Sequence, residues 1–183
     1  MPLVTCRECG ETVSDQAQTC PHCGAPVPWR QEFKGWGFEW KSATEIAGWP
    51  LVHVAFGRGP DRRLRVAKGV IAIGQFGIGL VTIAQFGVGV LFGFGQIMVG
   101  AVAVAQLAGG LVFALGQLAV AWVAVGQLVF AVYGLCQAGL AAHLWNSQGA
   151  DPEAVRFFCE WAAKLELPFS LERCAEVLPV ERP

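Results

Sequence analysis

The chain has 183 residues, a formal net charge of −1 and 54% hydrophobic residues. That length holds one medium domain and an appendage, and the near-zero charge excludes a protein that binds nucleic acid or acidic surfaces through its overall electrostatics. No Asp, Glu, Lys or Arg occurs from Gly69 to Ala150, so the apolar excess sits in one block, and mean hydropathy alone does not distinguish membrane spans from a packed stack.

Residues 1–27 are predicted to form a separate metal-binding unit. Cys6-Arg-Glu-Cys9 and Cys20-Pro-His-Cys23 are two Cys-x2-Cys knuckles with ten residues between them, and Gly10 and Gly24 follow them. Four thiolates on two tight turns suit a tetrahedral Zn2+, and a glycine after each knuckle lets the backbone turn its N–H groups toward sulfur. Four Cys ligands leave no open position, so the predicted zinc is structural. Paired disulfides are the alternative, disfavoured because the sequence begins with no recognisable secretion signal. His22 lies inside the second knuckle and is expected to be exposed. The segment carries Arg7 as its only cation beside Glu8, Glu11 and Asp15, a balance that repels phosphate, so nucleic-acid binding is not expected. Cys6, Cys9, Cys20 and Cys23 occupy the ligand positions of the small bacterial zinc ribbons, which this segment resembles. That resemblance implies a protein-docking module or an N-terminal cap, whose folding energy comes largely from the metal.

Residues 28–68 read as a linker followed by a capping β-hairpin. The stretch from Gly35 to Lys41 predicts one short strand. Leu51–Phe56 and Arg62–Ala67 alternate and are joined by Gly57–Asp61, a hairpin signal. Such a hairpin would cover an exposed strand edge. His53 is expected to be a satisfied structural residue, since no partner is placed to make it a base. Arg58, Arg62, Arg63, Arg65 and Lys68 read either as a solvated face or as contacts to anionic headgroups.

Residues 69–145 carry the repeat. Val70–Val90, Leu91–Leu111 and Val112–Val132 align, a partial fourth copy starts at Tyr133, and the openings VIAIGQ, LFGFGQ and VFALGQ agree. Gln75, Gln96, Gln117 and Gln137 form one column; Gln85, Gln106 and Gln127 form a second. Within the copies, large and small residues alternate in units of five or six, which is the period of a strand. The two columns halve the repeat, and the prediction is a mainly β fold: a β-solenoid, four-sided or flattened to two sides, of about 3.5 coils with a 21-residue repeat, whose seven glutamine amides hydrogen-bond in ladders. The sequence leaves open whether the large residues point inward or outward.

The alternative is a multi-span α-helical membrane protein with the zinc ribbon in the cytoplasm. One helix across this block would be ~110 Å long, against a hydrocarbon core of ~30 Å, so several spans with polar turns would be needed. No Pro, Asn, Asp or charged residue lies between Gly69 and His143 to make them, and each Gly costs a helix about 1 kcal/mol relative to Ala.

Residues 146–183 predict capping helices. Asp151-Pro-Glu opens the first with an N-cap and a proline in the first turn; Val155, Phe158, Trp161, Ala162 and Leu165 give it an apolar face. A second short helix is expected from Ser170 to about Val177. Cys136, Cys159 and Cys174 read as small buried residues.

Three further stretches, Phe38–Ser42, Gly48–Val54 and Ala67–Gly74, resemble the lead-in of a bacterial Gly-rich repeat family with no assigned activity. The coils also resemble pentapeptide-repeat solenoids but lack that family's Ala-(Asp/Asn)-Leu pattern. No nucleophile triad, carboxylate pair or phosphate loop is evident, and no small-molecule substrate. The expectation is a non-enzymatic scaffold that associates with itself or with a membrane, in the cytoplasm or at the inner face of the cell membrane. An enzymatic alternative would have to use His53 or His143 with the nearby arginines.

Overall fold

A computed structural model describes residues 2–28 and 35–165 and Cys174. The fold is mainly β, with one α-helix among the described residues, and none of its helices is long and apolar enough to cross a membrane. The block for which helical spans were the alternative is extended from Val66 to Trp145. Its alternation of large and small residues, with glycines throughout, favours extended backbone over helix. The expected second C-terminal helix lies outside the described residues, Cys174 excepted.

Contacts divide the chain into two units, Met1–Trp36 with Arg58–Arg63, and Gly37–Gly57 with Leu64–Pro183. In the first, β1 (Leu3–Thr5) and β2 (Thr12–Ser14) pair antiparallel, with Val4 opposite Val13. Cys6, Val13, Cys20 and Ala25 form its small core.

In the second unit, β3 (Trp36–Lys41), β6 (Val52–Arg58) and β7 (Val66–Trp145) form one sheet with β6 in the middle. The two-residue strands β4 (Glu45–Ile46) and β5 (Trp49–Pro50) make a separate hairpin whose turn residues, Ala47 and Gly48, both have positive φ. Such a turn matches the strands' twist. The predicted strand at Gly35–Lys41 corresponds to β3. The expected hairpin of residues 51–56 with 62–67 forms only at its tip, where the Arg65 amide donates to the Gly57 carbonyl at 3.0 Å and the Gly59 amide to the Arg63 carbonyl at 2.9 Å; along its length β6 instead pairs parallel with β7, Val52 opposite Ile71 and Ala55 opposite Gly74. Two parallel neighbours need a crossover, and Arg58 to Val70 supplies it.

A straight strand of this length would reach ~270 Å, yet β7 returns on itself. The backbone of Gly79 lies against the carbonyl of Gly69, Gly87 against Gly77, Gly100 against Gly89, Gly116 against Ala105 and Gly139 against Val129. Spatial neighbours are therefore ten or eleven residues apart, half the 21-residue coil that the sequence predicts. The repeat spans two passes, one of ten residues and one of eleven.

Side-chain direction follows the alternation. Ala72, Gly74, Gly77, Gly79, Thr82 and Ala84 are buried, whereas Ile78, Leu80, Ile83 and Phe86 are exposed. Small residues thus point inward and large ones outward. Where the interior widens, a larger side chain fills it opposite glycine: Met98, fully buried, occupies the space that a Cβ on Gly93 would need, 2.8 Å from its Cε. The hydroxyl of buried Thr82 donates to the Val88 carbonyl at 2.8 Å, so no polar group there is left unmet.

Helix α1 (Pro152–Lys164) forms as predicted. The Asp151 carboxylate accepts from the amides of Glu153 (2.8 Å) and Ala154 (3.3 Å), and these N–H bonds hold its carboxyl below the ordinary value. Val155, Phe158 and Cys159 pack on Val123 and Trp145, with Phe113, Val125, Tyr133 and Leu135 at the edge. All of these except Trp145 belong to the segments of β7 that lead into a glutamine. Cys159 and Cys174, expected as separate buried thiols, form a disulfide, their Cα atoms 5.5 Å apart. A sequence separation of 15 hides that proximity from the sequence.

Candidate metal centre

The two knuckles are built alike. The Cys6 amide donates to the Glu11 carbonyl and the Gly10 amide to the Cys6 carbonyl (2.8 and 3.0 Å); the Cys20 amide donates to Ala25 and the Gly24 amide to Cys20 (2.8 and 2.9 Å). Gly10 and Gly24 have φ of 77° and 75°, a conformation that penalises any side chain. Each turn then aims its N–H groups at sulfur.

The four Sγ atoms of Cys6, Cys9, Cys20 and Cys23 lie within 4.8 Å of one another. Cys6 and Cys23 are 3.8 Å apart, Cys9 and Cys20 3.7 Å. A tetrahedron with metal–sulfur bonds of ~2.3 Å has sulfur–sulfur edges of ~3.8 Å, so the donor set fits a tetrahedral ion. Electrostatics agree. Backbone N–H groups of Cys9 and Glu8 lower Cys6 to about 6. The Glu11 N–H acts on Cys9 in the same direction, but burial and the surrounding thiols push it up to about 12. The Ala25 N–H opposes a similar rise at Cys23. Cys6 is lowered while Cys9 and Cys23 are raised, as follows when thiolates are crowded so closely that like charges oppose one another. His22 is exposed and stands apart from the donor set, as expected.

The glutamines from Gln85 to Gln127 fall in one file. Gln85 and Gln96 line one groove, Gln96, Gln106 and Gln117 a second, and Gln106, Gln117 and Gln127 a third. Neighbours alternate between the two columns read from the sequence, because the chain returns at half the expected interval. Among the described residues no hydrogen bond joins two of these amides; Gln75 accepts from the Gly57 amide at 3.3 Å. From Gln85 to Gln137 the side chains are exposed, so water meets their polar groups without a ladder.

The basic cluster is split. Arg65 Nη1 is 2.7 Å from Glu39 Oε2, Arg63 Nε is 3.7 Å from Asp61, and Arg58 donates to the Arg62 carbonyl at 3.4 Å. Lys68 is exposed beside a cleft of about 640 Å³ whose lining includes Glu39, Lys41, Glu45, Trp49, His53 and Leu64. His53 is only 3% exposed. Its Nδ1 lies 2.8 Å from the Lys68 amide nitrogen and 3.1 Å from the Lys68 carbonyl oxygen, and Nε2 is 3.4 Å from Glu39 Oε1. The sequence missed this Glu39–His53 pairing, because β3 meets β6 only in the sheet. His143 stacks on Tyr133, with Nδ1 3.6 Å from Asp151 and 3.7 Å from Glu153.

The family model of a zinc-ribbon domain matches residues 2–27. No curated protein and no solved structure matches the chain.

Proposed function

We propose that β7 winds as a two-walled β-solenoid, ten or eleven residues to a turn, and that the protein is a non-enzymatic scaffold held on a membrane by one of those walls. A structural Zn2+ on Cys6, Cys9, Cys20 and Cys23 would order the ribbon, which serves as a docking module for protein.

One observation carries the membrane reading: the large apolar side chains face outward on a block without a charge. Helix α1 packs on the far part of the wall that leads into the glutamines. The opposite wall, which follows them, is uncovered by any described element, with Val88, Ile97, Val99, Leu107, Val120 and Phe130 exposed and Trp122 61% exposed. Six turns of five residues, at ~3.4 Å per residue and ~4.8 Å per turn, make this wall on the order of 500 Å². That is at the upper end for a monomer's largest apolar patch. It falls short of the ~800 Å² per partner of a stable protein interface. Lipid, which needs no matching surface, is the better occupant. At ~25 cal/mol per Å², burying the wall yields about 12 kcal/mol before the losses of association.

The four-thiolate centre supports a reducing compartment and hence the cytoplasmic face of the membrane. The Cys159–Cys174 disulfide argues the other way, and thiol counting on protein taken directly from cells decides between them.

Flotation with phosphatidylcholine vesicles tests the membrane reading. The wild-type chain should float, and a Val88→Glu, Val99→Glu variant with unchanged circular dichroism should stay behind. Large oligomers of the wild type that ignore vesicles would replace this reading with self-association.

A further inference from the structure

We propose that the cleft beside His53 and Lys68 is a binding site for the phosphodiester group of a membrane phospholipid, whose chains run down the uncovered wall. The proposal rests on the membrane reading above and gives it a specific lipid contact.

Position is the first argument. Gly69 lies against Gly79, so Lys68 heads the outward file that continues through Ile78 and Val88, both exposed. Leu64 and Val66 line the cleft on the same run of chain. A charged site therefore opens onto the top of an apolar wall, with Trp49 on its rim. Cations and an indole beside apolar surface are what a headgroup region favours.

Hydrogen-bond bookkeeping is the second. Glu39 is faced by Arg65 at 2.7 Å, His53 at 3.4 Å and Lys41 at 3.5 Å. Even so, His53 Nε2 and Arg65 Nε are buried without a hydrogen-bond partner. Arg65 Nε always carries a proton, and His53 Nε2 is the ring nitrogen that faces the Glu39 carboxylate. An unmet buried donor costs about 1–3 kcal/mol. Lys68 adds an ammonium for which no ion pair is formed among the described residues. His53 Nε2 and the Lys68 ammonium bring unmet polar groups to the cleft, and an oxyanion is their complement.

Charge selects among oxyanions. Among the lining residues Lys41 and Lys68 balance Glu39 and Glu45; Arg65, paired with Glu39 from outside the lining, supplies the one excess positive charge. A phosphodiester carries one negative charge; a free phosphate or monoester approaches two near neutral pH, and Glu45 on the rim disfavours the second. Lys41 and Lys68 would take the non-bridging oxygens, with Glu39 held in place by Arg65.

Calorimetric titration of the full, zinc-loaded chain with dihexanoyl phosphatidylglycerol, below its micelle-forming concentration, tests the site without a bilayer. Saturable binding is expected, weakened about ten- to hundredfold in a Lys41→Gln, Lys68→Gln variant and kept in Lys68→Arg. Inorganic phosphate should bind at least tenfold more weakly than the lipid. Equal affinity of the wild type and the double variant overturns the proposal, as does phosphate binding as tightly as lipid, which would make this a free-phosphate site. Should the double variant unfold, Lys68→Gln against Lys68→Arg decides alone, equal affinities being fatal. Loss of flotation with monomeric lipid still bound would remove the membrane reading and leave the site.

Discussion

Gly69 and Gly79 lie so close that a methyl group added to Gly79 would stand 2.5 Å from the Gly69 carbonyl oxygen. Ten residues separate them in the chain, and only a backbone that passes over itself at one strand spacing brings them together. The small inward residues are the condition for that closeness, and their replacement is the most direct probe of the fold.

Gly77→Val should destabilise the second unit by about 3 kcal/mol, because its Cβ would meet Thr82 Cγ2 at 2.7 Å and Ala84 Cβ at 3.2 Å. The outward change Val88→Thr should stay within about 0.5 kcal/mol. Urea unfolding followed by circular dichroism measures both. The reverse order of effects would mean that the large residues form the interior.

Removing metal should unfold residues 2–28 and leave β7 intact. The ribbon's core is four small residues, and structural zinc supplies ~10–16 kcal/mol of apparent binding energy in comparable peptides. Hydrogen exchange after chelation reads the outcome: lost protection at the Cys6 and Cys20 amides, retained protection in β7. Cys20→Ser should behave as the chelated protein does. A ribbon that keeps its protection without metal refutes the structural role.

Glu39 gives the fold an acid limit. Burial raises its carboxyl, but Lys41, then Arg65 and His53, outweigh it and hold the group below its ordinary 4.5. A carboxylate with a lowered folded value contributes stability that is present above the unfolded value and lost as pH falls through the folded one. Melting temperature against pH should therefore drop below about pH 4.5 in the wild type, and Glu39→Gln should flatten that limb while lowering stability at neutral pH. Superimposable curves for the two proteins would exclude the coupling.

The Cys159–Cys174 bond closes a loop spanning 15 residues, a constraint of about 3 kcal/mol in the chain-entropy account. Denatured, unreduced protein should show five reactive thiols, those of Cys6, Cys9, Cys20, Cys23 and Cys136. Reduction should loosen α1 from Val123 and Trp145 before β7 unfolds, read as lost protection of the Phe158 and Cys159 amides. Seven reactive thiols, or an unchanged α1 after reduction, would count against it.

The sequence was most legible where the chemistry is local. Two Cys-x2-Cys turns, each followed by a glycine, place four sulfurs within a few residues of two turns, so Cys6, Cys9, Cys20 and Cys23 could be named as one donor set from spacing alone. Asp151 with Pro152 marked the start of α1 for the same reason: an N-cap bonds the amides just after it. Alternation from Val70 onward was enough to predict extended chain, since side-chain direction in a strand depends only on parity.

What tertiary structure decided was every relation between distant residues. The repeat length is 21, yet the chain returns after ten or eleven, because two unequal passes make one repeat and a sequence period does not say how many passes it contains. Parity separates Ala72 from Ile73 without saying which is inside; the close approach of opposing backbones leaves room mainly for glycine and alanine, with Thr82, Met98 and Val129 where it widens, so most of the large residues face out. Glu39 meeting His53, and Cys159 meeting Cys174, required elements far apart in the chain to pack, and no local pattern encodes that.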